Sequence, residues 1–232
     1  MRREFHVRFC EGVGVKFPRP TRLVIGFERK LDAESFHREL RARLQKFGLE
    51  LHPEKTRLIE FGRWSEANRE RRGLGKPETF VFLGFTHACT RYSKSPRGIL
   101  RRRTARKRMV SKLHEVKAEL LKRRHRPIPE QGRWLGSVVR GFFHYHAVPT
   151  NFEALKRFRH ETARHWFRSL RRRSQKARRR LNWKRFYRIL GRWLPRPRIT
   201  HPYPKVRFYR QHPRQEPYAG KPHVRIRPGG AG

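Results

Sequence analysis

The sequence has little negative charge: 18 acidic residues, among them the single aspartate Asp32, stand against 61 lysines and arginines. A compact domain with this formal net charge of +43 repels itself unless a polyanion neutralises it. The sequence also lacks any apolar run near the roughly 20 residues that cross a bilayer, and it has no apolar signal segment. We therefore expect a cytoplasmic protein whose partner is nucleic acid and not a membrane.

Cysteine is almost absent as well. Cys10 and Cys89 are too few for a disulfide framework or for a cysteine-based zinc site. The histidines are scattered, and His144 and His146, two residues apart, fall on different faces of a helix. These spacings predict no metal site.

The positive charge is concentrated in the second half of the chain. Residues 1–100 carry a net charge of +10, and residues 101–232 carry +33. Both parts contain regularly spaced apolar residues, so the sequence predicts an α+β fold that continues into a basic helical bundle. The tail, residues 195–232, holds 8 of the 16 prolines, and we expect it to be extended or disordered.

The first hundred residues have the pattern of a small mixed fold. A strand is predicted at residues 23–27, and Asp32 is expected to cap the helix that follows. Gly48 is a natural residue to end this helix. A strand at 56–61, a polar loop, and a strand or hairpin arm at 80–85 come next. The apolar stripe of the helix consists of Ala33, Phe36, Leu40, Leu44 and Phe47.

Residues 104–194 predict four amphipathic helices. Thr104 is expected to cap the first, Asn151 the third and Asn182 the fourth, and the prolines in residues 126–129 separate the first two. The expected core residues are Ala105, Met109, Leu113, Val116 and Leu120; Leu135, Val138, Val139, Phe142 and Phe143; Leu155, Phe158, Thr162, Trp166 and Leu170; and Trp183, Phe186, Tyr187 and Leu190.

Basic side chains occupy the other faces of these helices, and almost no acid lies near the arginine runs at 171–173 and 178–180. Arginine binds phosphate through two parallel hydrogen bonds, so we predict nucleic-acid contact here. The bulky aromatics Trp134, Tyr145, Trp166 and Trp183 are expected in the core, with stacking on unpaired RNA bases as the alternative. The predicted nucleic-acid-binding residues are Arg140, Arg157, His160, Arg164, Arg168, Arg171, Arg172, Arg173, Lys176, Arg178, Arg179 and Arg180.

Four segments resemble bacterial group II intron-encoded reverse transcriptases and maturases. Residues 46–62, KFGLELHPEKTRLIEFG, and residues 80–85, FVFLGF, resemble the end of the reverse-transcriptase palm. Residues 127–151 and 170–183 resemble the maturase (thumb) domain. The resemblance implies a partial palm at 23–100 and a helical maturase domain at 104–194. Residues 1–22 match nothing in the family, and we expect frame-shifted or foreign sequence with weak packing there.

In that family, the strand matching residues 23–27 is preceded by Tyr-Ala-Asp-Asp, whose aspartates hold the catalytic metal ions. The matching positions here are Arg19, Pro20, Thr21 and Arg22. Two-metal phosphoryl transfer needs oxygen ligands that clamp Mg²⁺, and an arginine repels that ion. The resemblance therefore implies a lost polymerase centre and no cofactor, with Mg²⁺ expected only for the intact family enzyme. Lys55, in the family's Lys-Thr turn, is a weak catalytic candidate and is more simply a phosphate-contacting or solvated lysine.

The resemblance implies an RNA-binding protein that assists the folding and splicing of a group II intron RNA, with a DNA target as a further partner. Two alternatives stay open. The chain could be the C-terminal part of an RNA-directed DNA polymerase that works only with an upstream polypeptide, or it could be a relic without function.

Overall fold

The computed structural model describes residues 6–11, 22–53, 56–92 and 95–203, with side chains for all of these except 6–11, 22–23, 91–92 and 95–97. The described part is a mixed α+β fold, as predicted. Its strands are β1 (His6–Glu11), β2 (Arg22–Phe27), β3 (Arg57–Glu60), β4 (Phe80–Phe82), β5 (Phe85–Tyr92) and β6 (Ser95–Thr104). Its helices are α1 (Lys30–Gln45), α2 (Ser65–Arg71), α3 (Arg106–Lys122), α4 (Ile128–His146), α5 (Phe152–Arg171), α6 (Gln175–Arg180) and α7 (Trp183–Trp193).

The first sheet has the antiparallel order β2-β1-β3. Its central strand is β1, in which Val7 lies opposite Gly26 of β2 on one side and Ile59 of β3 on the other. Residues 6–11 thus pair in a sheet, although they lie in the segment 1–22 that we expected to be frame-shifted or foreign sequence with weak packing. A central strand has both of its backbone edges hydrogen-bonded, which is why it joins the sheet despite a sequence with little periodicity.

Helix α1 covers this sheet over a shorter length than predicted. It begins at Lys30 with Arg29 in the N-cap position, so Asp32 lies in the first turn and does not cap the helix. Ala33 is fully buried, and Gly48, with φ of +66°, adopts the left-handed backbone that ends a helix. Because the helix stops before Phe47, that side chain is 71% exposed, and its predicted place in the apolar stripe is wrong.

The second sheet is a meander of β4, β5 and β6. The turn between β4 and β5 has positive φ at both central residues, Leu83 and Gly84, which matches the twist of a tight hairpin. The sequence predicts a hairpin at this place, whereas it gives no indication of β6 or of the short helix α2. Ile59, Phe61 and Cys89 form a small core in this half of the fold.

The larger core lies in the helical bundle, where α3 and α5 run side by side in the same direction. The Ser169 hydroxyl donates to the Leu120 carbonyl oxygen at 3.1 Å near their C-terminal ends. Phe158 on α5 is fully buried and stacks on Phe142 of α4 with ring centroids 3.6 Å apart. Trp166, also fully buried, donates its indole N–H to Gln131 Oε1 at 3.0 Å. The stripe predicted on α5 is therefore confirmed as core.

Helix α7 packs closely against α4 because two glycines leave room for Trp193. A Cβ atom at Gly132 would clash with the Trp193 indole, and one at Gly136 would lie 2.7 Å from the Trp193 carbonyl oxygen. Asn182 caps α7 as predicted, accepting a hydrogen bond from the Arg185 backbone N–H at 2.9 Å. Phe186 and Leu190 are buried, as predicted for this helix.

A polar cluster joins the second sheet to the helical bundle. Thr104 ends β6 and does not cap α3, whose N-cap residue is Ala105. Asn151 holds the N-cap position of α5, but its side chain bonds elsewhere. Its Oδ1 accepts from the Thr104 N–H at 2.9 Å, and its Nδ2 donates to the His146 carbonyl oxygen at 2.8 Å. Neither side chain caps a helix as predicted, because the Thr104 and Asn151 side chains hydrogen-bond to each other and so connect β6 with the start of α5.

His146 in this cluster makes stability depend on pH. Burial, with a smaller contribution from the Arg108 charge, lowers the pKa of His146 from 6.5 to about 4. The unfolded chain therefore takes up a proton that the folded chain excludes, and stability present above pH 6.5 is lost as the pH falls toward 4. We expect the free energy of unfolding to drop by about 2 kcal/mol between pH 7.5 and pH 5 through this group.

Urea unfolding at the two pH values measures this loss. The His146→Asn variant should lose less stability on acidification than wild type, whereas His114→Asn, at an exposed position on α3, should behave as wild type does. Equal losses in wild type and His146→Asn would contradict the assignment.

Candidate nucleic-acid interface

Five arginines line one open cleft of about 780 Å³ at the C-terminal end of the bundle. Arg168, Arg171 and Arg172 come from the end of α5, Arg124 follows the end of α3, and Arg178 belongs to α6. We call this surface the arginine cleft. Its remaining lining residues are Phe167, Ser174 and Gln175.

The chain reversal between α5 and α6 brings these arginines together. Helix α5 ends at Arg171, and the Ser174 hydroxyl accepts from the Ala177 backbone N–H at 3.0 Å, which caps α6. The Arg171 guanidinium then donates to the Arg178 carbonyl oxygen at 3.4 Å and closes the turn. Helix α6 is not among the four helices predicted for residues 104–194, and the structure corrects that prediction.

Two acids on α3 and α5, the helices that carry most of the cleft arginines, are paired with other residues. Glu161 accepts from Arg164 at 3.1 Å, and Glu119 accepts from Arg123 at 2.7 Å. No acidic side chain of the described residues lines the cleft itself. The buried Nε atoms of Arg124 and Arg171 have no hydrogen-bond partner within the described part of the chain.

This arrangement suits a phosphate backbone. Guanidinium groups present several N–H donors in a fixed plane, and phosphate oxygens accept them in pairs. The carbonyl ends of α3 and α5 carry partial negative charge, which offsets part of the repulsion among the arginines. What remains is a concave, strongly cationic surface, which is the kind of surface that attracts polyanions.

The predicted binding residues divide into three groups. Arg168, Arg171, Arg172 and Arg178 meet in the cleft. Beside it, Arg173 donates to the Arg126 carbonyl oxygen. The other basic residues of α6 are also exposed near the cleft: Lys176, Arg179 and Arg180. The last group does not line the cleft. Its members are Arg157 and His160, exposed on earlier turns of α5, Arg164, which is paired with Glu161, and Arg140 on α4.

Sequence reasoning missed Arg124 and Phe167 as cleft residues. Arg124 ends a basic run just before the proline break, and only the packing of α3 against α5 brings it to the cleft. Phe167 falls outside the stripe predicted for α5, yet it is 5% exposed and packs under the Arg171 guanidinium, whose Cζ lies 5.5 Å from the ring centroid. The sequence feature that could have identified Arg124 as a binding residue is its place in a basic run at the end of a helix.

His165 lies next to the cleft arginines on α5. Burial lowers its pKa, and the charges of Arg168, Lys117 and Arg164 lower it further against the opposite effect of Glu161. The positive charge of this surface at neutral pH therefore comes from arginine and lysine.

The weak catalytic candidate Lys55 lies outside the described residues, as do Arg19, Pro20 and Thr21. Arg22 begins β2. Among the described residues, no three His, Cys, Asp or Glu side chains are grouped as metal ligands. None of the helices in the described ranges is both long and apolar enough to cross a membrane. In comparisons with known proteins, no protein-family model, curated protein or solved structure matches the chain.

Proposed function

We propose that the chain is a maturase-like protein that binds structured group II intron RNA and favours its folded, splicing-competent form. The observation that carries the proposal is the arginine cleft, a concave surface lined by five arginines and by no acidic side chain of the described residues. Intron RNA is the partner because the segments that resemble the maturase family supply this surface: residues 170–183 cover the end of α5, all of α6 and the start of α7.

The second segment that resembles the maturase family, residues 127–151, makes hydrogen bonds that hold the cleft in place. Gln131 in this segment is fully buried and donates to the carbonyl oxygens of Arg124 and Arg126 at 3.1 and 2.9 Å, while its Oε1 accepts from Trp166. These bonds fix the loop that carries Arg124 against α5. Both family-like segments are thus used to build one surface.

The mechanism is a shift of the RNA population. A folded intron RNA brings phosphates close together, and their repulsion opposes folding. A cationic cleft that binds the folded form more tightly than its alternatives shifts the equilibrium by that difference in affinity. The RNA performs the splicing reaction, and the protein contributes binding energy.

Splicing of a group II intron transcript from the genome that encodes the chain tests this function. At limiting Mg²⁺, where the RNA alone splices poorly, added protein should increase the spliced fraction. Bovine serum albumin and an equally basic polylysine serve as controls for non-specific effects. Splicing that is unchanged by the protein, or that polylysine increases equally, would contradict the proposal.

Primer extension on an RNA template should be absent with either Mg²⁺ or Mn²⁺. The family's centre holds its metals on a pair of aspartates, whereas this chain has one aspartate, Asp32, in the first turn of α1. Among the described residues, no three His, Cys, Asp or Glu side chains are grouped in a way that could replace that pair. Extension above a no-protein control, retained after rigorous removal of contaminating polymerases, would instead support the alternative of a reverse-transcriptase fragment.

A further inference from the structure

Two aromatic side chains form an exposed ledge beside the arginine cleft. Trp183 and Tyr187 are four residues apart on α7, so they lie on the same face of the helix. They are 40% and 61% exposed, and their ring centroids are 5.9 Å apart. The sequence predicted both in the core, with stacking on unpaired RNA bases as the alternative for Trp183. The structure corrects the core prediction, because Phe186 and Leu190 fill the core and these two rings are open to solvent.

The ledge and the cleft share one side chain, Phe167. One face of the Trp183 indole stacks on the Phe167 ring, with centroids 4.1 Å apart and planes 20° apart. Phe167 also lines the arginine cleft, under the Arg171 guanidinium. A phosphate bound in the cleft would therefore be separated from the Trp183 indole by the Phe167 ring.

The charge around the ledge favours a nucleic acid over an apolar protein partner. Residues 162–215 contain no acidic residue, and Lys184, Arg185 and Arg188 flank the two rings along α7. Exposed aromatic rings in a cationic surface are the combination that binds single-stranded nucleic acid, because the bases stack while the backbone is neutralised.

We propose that Trp183 and Tyr187 stack on unpaired nucleobases of the RNA whose phosphates occupy the arginine cleft. The inference rests on the proposed function and adds to it the structural class of RNA that is recognised. In a duplex the base faces are covered by their neighbours, so the ledge engages only bulged, looped or single-stranded nucleotides. The cleft then supplies affinity for any RNA, and the ledge supplies preference for unpaired positions.

The test compares a flush RNA duplex with the same duplex carrying a bulge of unpaired adenines, each bound to the full chain at constant salt. Wild type should bind the bulged RNA about tenfold more tightly, within the range found for stacking on aromatic side chains. The Trp183→Leu/Tyr187→Leu variant should lose that preference and keep its affinity for the flush duplex. Tyr203→Leu is the matched control, because Tyr203 is also 61% exposed and follows His201, which bonds to Ala147 at the other end of α5.

Equal binding of the two RNAs by wild type, or a bulge preference that survives in the double variant, would overturn this inference and leave the proposed function standing. Failure of wild type to bind either RNA would overturn both. If circular dichroism shows that the double variant has lost helix, Tyr187→Leu alone decides the question, since that side chain is mostly exposed and its removal leaves the core intact.

Discussion

The variant Arg168→Gln/Arg172→Gln/Arg178→Gln should bind structured RNA about a hundredfold more weakly than wild type at physiological salt. All three side chains are exposed and line the cleft, so their replacement removes phosphate-binding groups without opening the core. For each phosphate that is no longer bound, the plot of log affinity against log salt should also become shallower by about 0.7 to 0.9. Arg164 is left unchanged because it is paired with Glu161, and Arg171 because its guanidinium covers Phe167 and bonds to Arg178.

A control variant with the same change in charge shows whether the loss of affinity comes from the cleft or from the lower net charge of the protein. Arg38→Gln/Arg41→Gln/Arg43→Gln removes three exposed arginines from α1. If the cleft is the site, this control should stay within a few fold of wild type and keep its salt slope. Parallel salt plots with equal affinities for the two triple variants would mean that the cleft has no special role.

The Phe158→Ala substitution should strongly destabilise the helical bundle. Phe158 is fully buried and stacks on Phe142, so truncation leaves a cavity at the centre of the core. We expect a loss of about 3 to 5 kcal/mol in the free energy of unfolding, a large share of the stability of a domain of this size. RNA affinity should fall with it at higher temperature, because the cleft depends on the packing of α3 against α5.

Chemical denaturation measures this effect, with Phe152→Ala as the control. Phe152 is in the same helix but is 37% exposed, and it contacts Lys156 and not the core. Its truncation should cost about 1 kcal/mol or less. Similar losses for the two variants would show that the assignment of the buried face of α5 is wrong.

The helical bundle was largely predictable because its apolar residues recur at a clear helical period. Leu155, Phe158, Thr162, Trp166 and Leu170 are all buried, as their spacing indicated. The same method placed Trp183 and Tyr187 in the core, and both are exposed. The buried face of α7 is narrow, and Phe186 and Leu190 lie on it while Trp183 and Tyr187 do not. Residue spacing alone does not show how wide the buried face of a helix is.

Two helix caps and two strands were predicted wrongly or not at all. Thr104 and Asn151 have the side chains that cap helices, yet they bond to each other across 47 positions of sequence, a tertiary contact that no local pattern reveals. Strand β6 ends in a run of three arginines and a threonine, and its basic composition hid it. Strand β1 was missed because its sequence has little periodicity, and because one of its two partners, β3, lies far along the chain.

The residues of the arginine cleft were partly predictable from the sequence, but the shape of the cleft was not. The arginine runs near residues 171 and 178 indicated a phosphate-binding region, and four of the predicted arginines do line one cleft. The contribution of Arg124 from another helix, and the link through Phe167 to the aromatic ledge, depend on packing between elements. Such contacts follow from the three-dimensional arrangement and have no signature at short sequence separation.

Folding of the intron RNA as a function of Mg²⁺, followed by chemical probing, tests the central claim most directly. Wild-type protein should lower the Mg²⁺ concentration at which half of the RNA is folded, since it binds the folded form preferentially. The triple variant of the arginine cleft should leave that midpoint where the RNA alone has it, and the α1 triple variant should lower it as wild type does. A midpoint that wild type does not move, or that the cleft variant moves equally, would contradict the account.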